Sequence, residues 1–249
     1  MFIECYISLG EESAMRNMVN HLASLGFGGA AFVHEVVDRG VGEEDRCTNE
    51  KTVIGLLPLQ HTALYRNPLI KASNEFRVFN RLSLTSGRDA DLKSCNSSLL
   101  DGYDLVSFLP ENQYLFECAC DCGFIDIIEI PIMDGVYIHY TKDNVTKAIN
   151  RGIMFEFSLA SSFREQSNRR ALFNNCEALF FFGRGNNILF SSDPNDPLEL
   201  RNPNAYVAIG RAMGLSPEKA VDAVYRNPQR ALEHAKRRKA GKEGIEVIA

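Results

Sequence analysis

The 249-residue chain lacks any apolar run long enough to cross a bilayer, which takes about 18 to 20 consecutive residues. Its first residues, Met1 to Cys5, lack the basic start and the small-residue cleavage site of a secretory signal. Its seven cysteines are odd in number and irregularly spaced, which is atypical of a secreted disulfide framework. We therefore expect a soluble intracellular protein with reduced thiols and no membrane contact.

Common catalytic and cofactor motifs are also missing. There is no G-x-S-x-G and no P-loop, and Gly183-Arg184-Gly185 lacks the third glycine of a dinucleotide fingerprint. Cys118, Cys120 and Cys122 form a C-x-C-x-C run, but only the first and last would share a helical face, and no nearby pair of Cys or His completes a zinc site. Buried thiols are the expected role of these cysteines.

The charges are unevenly distributed along the chain. A formal net charge of -5 argues against non-specific nucleic-acid binding, because that affinity comes from Lys and Arg neutralising phosphates. From Arg211 to Lys242, however, basic residues outnumber acidic ones by nine to three, whereas 38–50 is acidic. The C-terminal part is therefore basic, and we expect 236–249 to form a flexible basic tail.

Apolar runs rich in β-branched and aromatic residues alternate with helix-length segments, a pattern typical of parallel strands that are each followed by a covering helix. The predicted strands are Phe2–Leu9, Ala30–Val37, Val78–Leu84, Leu105–Leu109, Ile125–Ile130, Met154–Leu159 and Asn187–Phe190. The predicted helices are Ser13–Leu25, Asn112–Cys122, Asp143–Asn150, Arg169–Phe180, Asn204–Met213, Pro217–Val224 and Pro228–Arg238. Ser216 and Asn227 are candidate N-caps of the last two.

This alternation predicts an α/β, TIM-barrel-like fold: a degenerate βα barrel of about seven parallel strands with helices outside. A doubly wound sheet is the alternative that spacing leaves open. We expect one domain over 1–249. Residues 40–71 have no sustained period and are predicted to be an irregular insertion.

Four arginines follow the sixth and seventh predicted strands. Arg164, Arg169 and Arg170 come after Met154–Leu159, and Arg201 comes after the last strand. Loops at the C-terminal ends of barrel strands usually carry function, and the planar guanidinium suits bidentate phosphate contact. Phosphate or RNA contact is one interpretation of this set. Solvated surface with ion pairs to Glu165 or Glu199 is the other.

A metal-dependent phosphoesterase barrel of the polymerase and histidinol phosphatase type is an alternative hypothesis. Those enzymes bind metal through a His-x-His pair on the first strand, where this chain has Glu4-Cys5-Tyr6. The five histidines are scattered, which leaves Glu4, His34 and other carboxylates as the candidate ligands. For His34 we expect instead an ordinary hydrogen bond at a strand end.

The second half of the chain resembles a known family. Residues 150–157, then Ser161 to Glu165 and the pair Arg169-Arg170, resemble the R-G-x-x-F-E, S-P-x-[IF]-[KR]-[DE] and R-R motifs of the ribonuclease P and MRP protein subunit of about thirty kilodaltons. Further similar stretches are 80–84, 102–107, 185–192, 197–203 and 213–216. The sequence departs from the family at Ser161 or Ser162, where proline is usual, and at Asn202, where glycine is usual.

The resemblance implies a degenerate phosphatase-like barrel that binds no cofactor itself. In that family RNA with bound Mg²⁺ performs the cleavage of precursor tRNA, and the protein binds the RNA backbone and an RRM-like partner subunit. The implied partners are therefore ribonuclease P RNA, MRP RNA or both, in the nucleus and nucleolus. The implied RNA contacts are Arg81, Arg151, Arg164, Arg169, Arg170, Arg201, Lys236, Arg237 and Arg238. For Arg151, a helix-end charge that compensates the helix dipole is the alternative role.

Overall fold

The computed structural model describes residues 2–8, 12–47, 76–95, 98–132 and 136–241. Seven parallel strands form one sheet in which each strand pairs with the next along the chain. The strands are β1 (Ile3–Ser8), β2 (Gly29–Val37), β3 (Arg77–Ser86), β4 (Leu105–Pro110), β5 (Ile127–Glu129), β6 (Met154–Ser158) and β7 (Ile188–Ser191). The N–H of Ser192, just after β7, donates to Glu4 Oε1 on β1 at 2.9 Å. The sheet is thus a nearly closed barrel, and the prediction of a TIM-barrel-like fold is confirmed.

Helices follow the strands and cover the outside of the barrel. They are α1 (Glu12–Leu25), α2 (Asp89–Ser94), α3 (Gln113–Cys120), α4 (Lys142–Arg151), α5 (Ala160–Arg164), α6 (Gln166–Gly183), α7 (Pro203–Ala212), α8 (Pro217–Tyr225) and α9 (Asn227–Gly241). Every predicted helix is present, with bounds that differ by a few residues. The short helices α2 and α5 were not predicted, and α6 begins three residues earlier than expected.

Local capping explains where several helices begin and end. The Ser216 side chain accepts the Lys219 N–H ahead of Pro217, which confirms the predicted cap of α8. Asn227 does not cap α9 as predicted. Its side-chain amide donates to the carbonyl of Ile188 at 2.6 Å, because α9 follows α8 almost directly and Asn227 already lies within the helix.

Two apolar layers stabilise the barrel. The larger layer lies between the outer face of the strands and the helices. The smaller one fills the N-terminal end of the barrel interior with side chains such as Ile3, Leu105 and Met154, and Ala231 and Ala235 of α9 pack beneath it. Helix α9 therefore closes the N-terminal end of the barrel, which leaves the C-terminal end as the open mouth.

Of the two segments predicted to be irregular, the tail differs from expectation where the structure describes it, and the insertion is described only over 40–47. Residues 236–241 belong to α9 and not to a flexible tail, because that helix must continue to cover the barrel end. Within the predicted insertion, Glu43–Asp45 form a single 3-10 turn. The remainder of the insertion, 48–71, and of the tail, 242–249, lies outside the described residues. Across the described part of the chain, no helix combines the length and the apolar character needed to cross a membrane.

Candidate functional site: the barrel mouth and an arginine face

The half of the barrel interior that lies toward the open C-terminal end contains charged side chains. Successive side chains of a strand point to opposite faces, so Arg81 and Ser83 of β3 point inward together with Ser107 of β4, Glu129 of β5 and Glu156 of β6. We call these five residues the internal charge cluster. All five are buried, and Arg81 has no exposed surface at all.

The Arg81 guanidinium is bonded on every side. Its Nη1 and Nη2 donate to the two oxygens of Glu156 at 2.8 and 2.5 Å, and Nη2 also donates to Glu129 Oε1 at 2.9 Å. Nε donates to Ser107 Oγ, and Nη1 donates to the carbonyl of Cys5. These contacts explain why a charge can be buried here, because each nitrogen of the Arg81 guanidinium has a hydrogen-bond partner.

The electrostatics of the cluster depend on this pairing. Burial opposes the charge of Arg81, but the carboxylates of Glu156 and Glu129 outweigh it and raise the pKa of Arg81. Burial also raises the pKa of Glu156, although the Arg81 guanidinium works in the opposite direction. The structure therefore gives Arg81 a structural role in place of the predicted RNA contact, because its guanidinium is enclosed by carboxylates inside the barrel.

Further acidic groups lie at the mouth itself. Glu35 Oε1 accepts hydrogen bonds from Tyr6 Oη at 3.1 Å and Ser8 Oγ at 3.2 Å. Asp193 follows β7, and burial together with the carboxylates of Glu129 and Glu35 raises the pKa of Asp193 to about 6. Arg81 thus compensates for Glu129 and Glu156 inside the barrel, whereas Glu35 and Asp193 make the inner part of the mouth acidic. Arg164, outside the barrel interior, lowers the pKa of Asp193.

Glu4 stabilises the junction between β1 and β7. Its Oε1 accepts the backbone N–H groups of Tyr6 and Ser192, at 3.2 and 2.9 Å. Burial raises the pKa of Glu4 to about 7, even though these hydrogen bonds lower it. The contact with Ser192 joins the two edge strands of the barrel through Glu4 Oε1.

His34 lies at a separate place. Its Nε2 is 2.9 Å from Asp45 Oδ1, and Asp45 also accepts two hydrogen bonds of 2.6 Å from Arg39. The expected ordinary hydrogen bond of His34 is confirmed. Glu4 and His34 are therefore committed to different structural contacts, which does not favour the phosphoesterase hypothesis.

Four of the predicted arginines lie together at the C-terminal end of the barrel. We call Arg164, Arg169, Arg170 and Arg201 the arginine face. All four are exposed, and they are carried by α5, by the first turns of α6 and by the segment after β7. The structure thus brings together the residues that sequence spacing grouped.

The members of the arginine face differ in how firmly they are held. Arg164 forms an ion pair with Glu199, as one interpretation anticipated. Arg169 Nε donates to the carbonyl of Ser162 at 3.0 Å, and the Arg201 guanidinium lies 5.6 Å from the ring centroid of Phe163. Within the described residues, Arg170 has no side-chain partner.

The other predicted RNA contacts lie at the opposite end of the barrel. Arg151 ends α4 and forms an ion pair with Asp121, which is compatible with both of its proposed roles. Lys236 and Arg237 are exposed on α9. The predicted sites therefore form two groups separated by the length of the barrel.

Arg238 does not belong to either exposed group. Its Nε and Nη2 donate to the buried carboxylate of Asp126 at 3.1 to 3.2 Å, and His234 Nδ1 lies 2.8 Å from the same carboxylate. The side chain is 2% exposed. The prediction that Arg238 binds RNA is replaced by a structural role, in which it fixes α9 to the barrel.

The cysteines are free thiols, as expected. Cys120 and Cys122 are buried, and burial raises the pKa of Cys122 to about 12. Among the residues that the structure describes, no group of three or more His, Cys, Asp or Glu side chains is arranged to hold a metal ion.

Comparison with known proteins agrees with this arrangement. The family model described as RNase P subunit p30 matches residues 1–240. The chain belongs to the RNase P subunit p30 family. Family membership accounts for the spacing of the motifs between Arg81 and Ser216, which individually are short.

Several curated relatives have similar sequences. Protein GAMETOPHYTE DEFECTIVE 1 of Arabidopsis thaliana is 28% identical over 249 residues, which cover 96% of this chain and 42% of that protein. Ribonuclease P protein subunit p30 of Mus musculus is 27% identical over 230 residues, which cover 91% of this chain and 82% of the mouse protein. The chain therefore spans less than half of the Arabidopsis relative and most of the mouse one.

Solved structures show the same fold at low sequence identity. A chain in the cryo-EM structure of archaeal ribonuclease P with mature tRNA superposes with a TM-score of 0.65 at 14% identity, over 99% of this chain and 98% of that one. A histidinol phosphate phosphatase from Lactococcus lactis, complexed with zinc, superposes with a TM-score of 0.51 at 12% identity, over 86% and 94%. These likenesses establish the barrel architecture.

The zinc in that phosphatase raises the question of whether this barrel could hold a metal ion. Here Glu129 and Glu156 are bonded to Arg81, whose positive charge would repel a divalent cation at the same carboxylates. The hydroxyl groups of Ser83 and Ser107 lie 2.5 and 2.6 Å from Glu129 Oε1, so this oxygen already has three polar neighbours when Arg81 is included. Carboxylates held in this way do not fit a metal site.

Proposed function

We propose that this chain is a non-catalytic RNA-binding protein subunit of ribonuclease P, which supports the 5'-end maturation of precursor tRNA by the RNA. The observation that carries the proposal is the family match over residues 1–240. The internal charge cluster supports the non-catalytic part, since its two buried carboxylates, Glu129 and Glu156, are paired with Arg81. Mg²⁺ in this proposal is bound by the RNA.

The protein acts by neutralising phosphates. Where RNA helices converge, their backbones repel one another, and cations held on a rigid support reduce that repulsion. The arginine face provides such cations at the mouth of the barrel, on α5 and α6 and beside the 3-10 turn Pro197–Glu199. Arg151, Lys236 and Arg237 provide a second set at the opposite end. Two basic surfaces on one barrel suit a subunit that lies between RNA elements.

The further partners in this proposal are the other protein subunits of the complex, among them an RRM-like subunit, and precursor tRNA by way of the RNA. The proposed location is the nucleus and nucleolus. Association with MRP RNA belongs to the same proposal, because the resemblance covers both complexes.

The first experiment identifies the RNA. The tagged full-length protein is purified from its host, and the copurifying RNA is sequenced. We expect ribonuclease P RNA, MRP RNA or both to be enriched over an untagged control. Enrichment of neither RNA contradicts the proposal.

The second experiment tests the arginine face. Arg169→Ala with Arg170→Ala should weaken binding of the ribonuclease P RNA and reduce the slope of log affinity against log salt by about one for each phosphate that the variant no longer binds. The control is Lys142→Ala with Arg211→Ala, which removes two exposed helical charges outside the arginine face. Equal effects of the two double variants would mean that total charge, and not this face, determines binding.

A further inference from the structure

A shallow hollow on α6 is lined by five side chains of one helical face. They are Gln166, Arg169, Arg170, Phe173 and Asn174. Their spacing of three and four residues stacks them along the helix surface. The helix packs against the barrel through a different stripe, which includes Leu172, Cys176 and Leu179. The hollow is therefore directed away from the core.

The two cations of the hollow are presented differently. Arg169 is held in place by its hydrogen bond to the carbonyl of Ser162, with a longer one of 3.4 Å to Phe163. Arg170 has a free guanidinium as far as the described residues go. No carboxylate lines the hollow. An anionic group can therefore approach one fixed and one adaptable guanidinium, and the exposed carboxylate of Glu177 lies one turn beyond Phe173, outside the lining.

The hollow also contains an exposed aromatic ring. Phe173 is 46% exposed and lies one turn after Arg169 and Arg170. A single exposed phenylalanine is ordinary on a protein surface. The combination of a ring, two arginines and two side-chain amides is better suited to a nucleotide. Aromatic faces and guanidinium planes stack on bases, and amides can hydrogen-bond base edges.

We propose that this hollow binds one unpaired nucleotide of the RNA. The base stacks on Phe173, its edge meets the amides of Gln166 or Asn174, and the phosphate binds Arg170 beside Arg169. This inference rests on the proposed RNA-binding function and adds that a base, in addition to the backbone, is recognised. Charge favours RNA over a protein partner as the occupant, since both charged lining residues are cations.

The experiment uses two blunt-ended RNA duplexes of identical sequence, one of which carries a single bulged nucleotide. Affinities of the purified full-length protein are measured by fluorescence anisotropy at fixed salt. We expect the bulged duplex to bind more tightly, and Phe173→Leu to weaken its binding about tenfold, within the range of one base-stacking contact. Binding of the fully paired duplex should change little.

Phe181→Leu is the matched control, because Phe181 is a more exposed phenylalanine of the same helix outside the hollow. It should leave both affinities unchanged. Circular dichroism spectra of both variants should match the wild type, since each side chain is exposed.

The outcomes separate this inference from the proposed function. If both duplexes bind equally and Phe173→Leu behaves like Phe181→Leu, the nucleotide site is refuted while RNA binding by the arginines stands. If Phe173→Leu releases another protein subunit from the purified complex without changing RNA affinity, the hollow is a protein-docking site and the inference is again refuted. Failure of the native protein to copurify ribonuclease P or MRP RNA contradicts the proposed function itself.

Discussion

Replacing Arg81 with methionine should strongly destabilise the protein at neutral pH. Methionine has a similar length and retains the packing, but it removes the positive charge that lies against Glu129 and Glu156. Both carboxylates would then remain buried without a cation. The Cys5 carbonyl and the Ser107 hydroxyl would also be left without this donor.

Breaking a buried ion pair by removing one partner typically costs about 3 to 5 kcal/mol of unfolding free energy. Here the upper part of that range is expected at pH 8, since two carboxylates lose the same cation. The cost should fall in acid. Burial raises the folded-state pKa of Glu156, and Arg81→Met removes the cation that opposes this shift, so the penalty from Glu156 is complete above the folded pKa and disappears as pH falls toward the unfolded one.

Urea unfolding followed by circular dichroism at pH 5.5 and pH 8 measures both effects. A triple variant, Arg81→Met with Glu129→Gln and Glu156→Gln, serves as the control and should recover most of the missing stability at pH 8, because it removes the uncompensated charges. A loss below about 1 kcal/mol in the single variant, or a loss that is equal at the two pH values, would refute the proposed balance of charge inside the barrel.

Two further predictions concern stability. The pKa of Glu4 is about 7 in the folded protein against an ordinary value of 4.5, so its contribution to the free energy of unfolding is lost as pH rises between these values. Glu4→Gln keeps the acceptor oxygen but cannot ionise. Relative to its effect at pH 4.5, it should therefore stabilise the protein by about 3 kcal/mol at pH 8, measured by urea unfolding. Gly152→Ala should lower the free energy of unfolding by about 1 to 2 kcal/mol in the same assay, because Gly152 has φ +85° and a Cβ there would lie 3.1 Å from His234 Cδ2. An unchanged free energy of unfolding would show that the end of α4 adjusts freely.

The barrel was predictable because its strands are continuous apolar runs and its helices repeat every three to four residues. Elements without such a period were missed. Helix α5 has five residues and α2 has six, which is too short for a periodic face. Where the chain caps its helices locally, as at Ser216, sequence and structure agree. Where a contact with a residue distant in the sequence determines the role of a side chain, as between Asn227 and the carbonyl of Ile188, sequence and structure differ.

The internal charge cluster could not be assembled from the sequence alone, since its charged members come from three strands, with Glu129 and Glu156 separated by 48 and 75 residues from Arg81. The sequence nevertheless contained an indication of the cluster. Arg81, Glu129 and Glu156 are charged residues inside predicted strands that are rich in apolar residues, and a charge in the middle of a buried strand requires an opposite charge nearby. Arg238 carried a similar signal, because Ala231, Ala235 and Arg238 lie on one stripe of a helix.

Burial also resolves the conflict between an acidic chain and a proposed RNA-binding surface. Among the described residues, the buried acidic side chains are Glu4, Asp45, Asp91, Asp126, Glu129, Glu156 and Asp222, whereas the buried basic ones are Arg81 and Arg238. These seven acids and two bases together carry a formal charge of -5, which equals the formal net charge of the whole chain. Buried groups of the described barrel therefore account for negative charge that a polyanion would not meet at the surface. Where the exposed residues Arg164, Arg169, Arg170 and Arg201 cluster at one end of the barrel, we expect phosphates to be attracted.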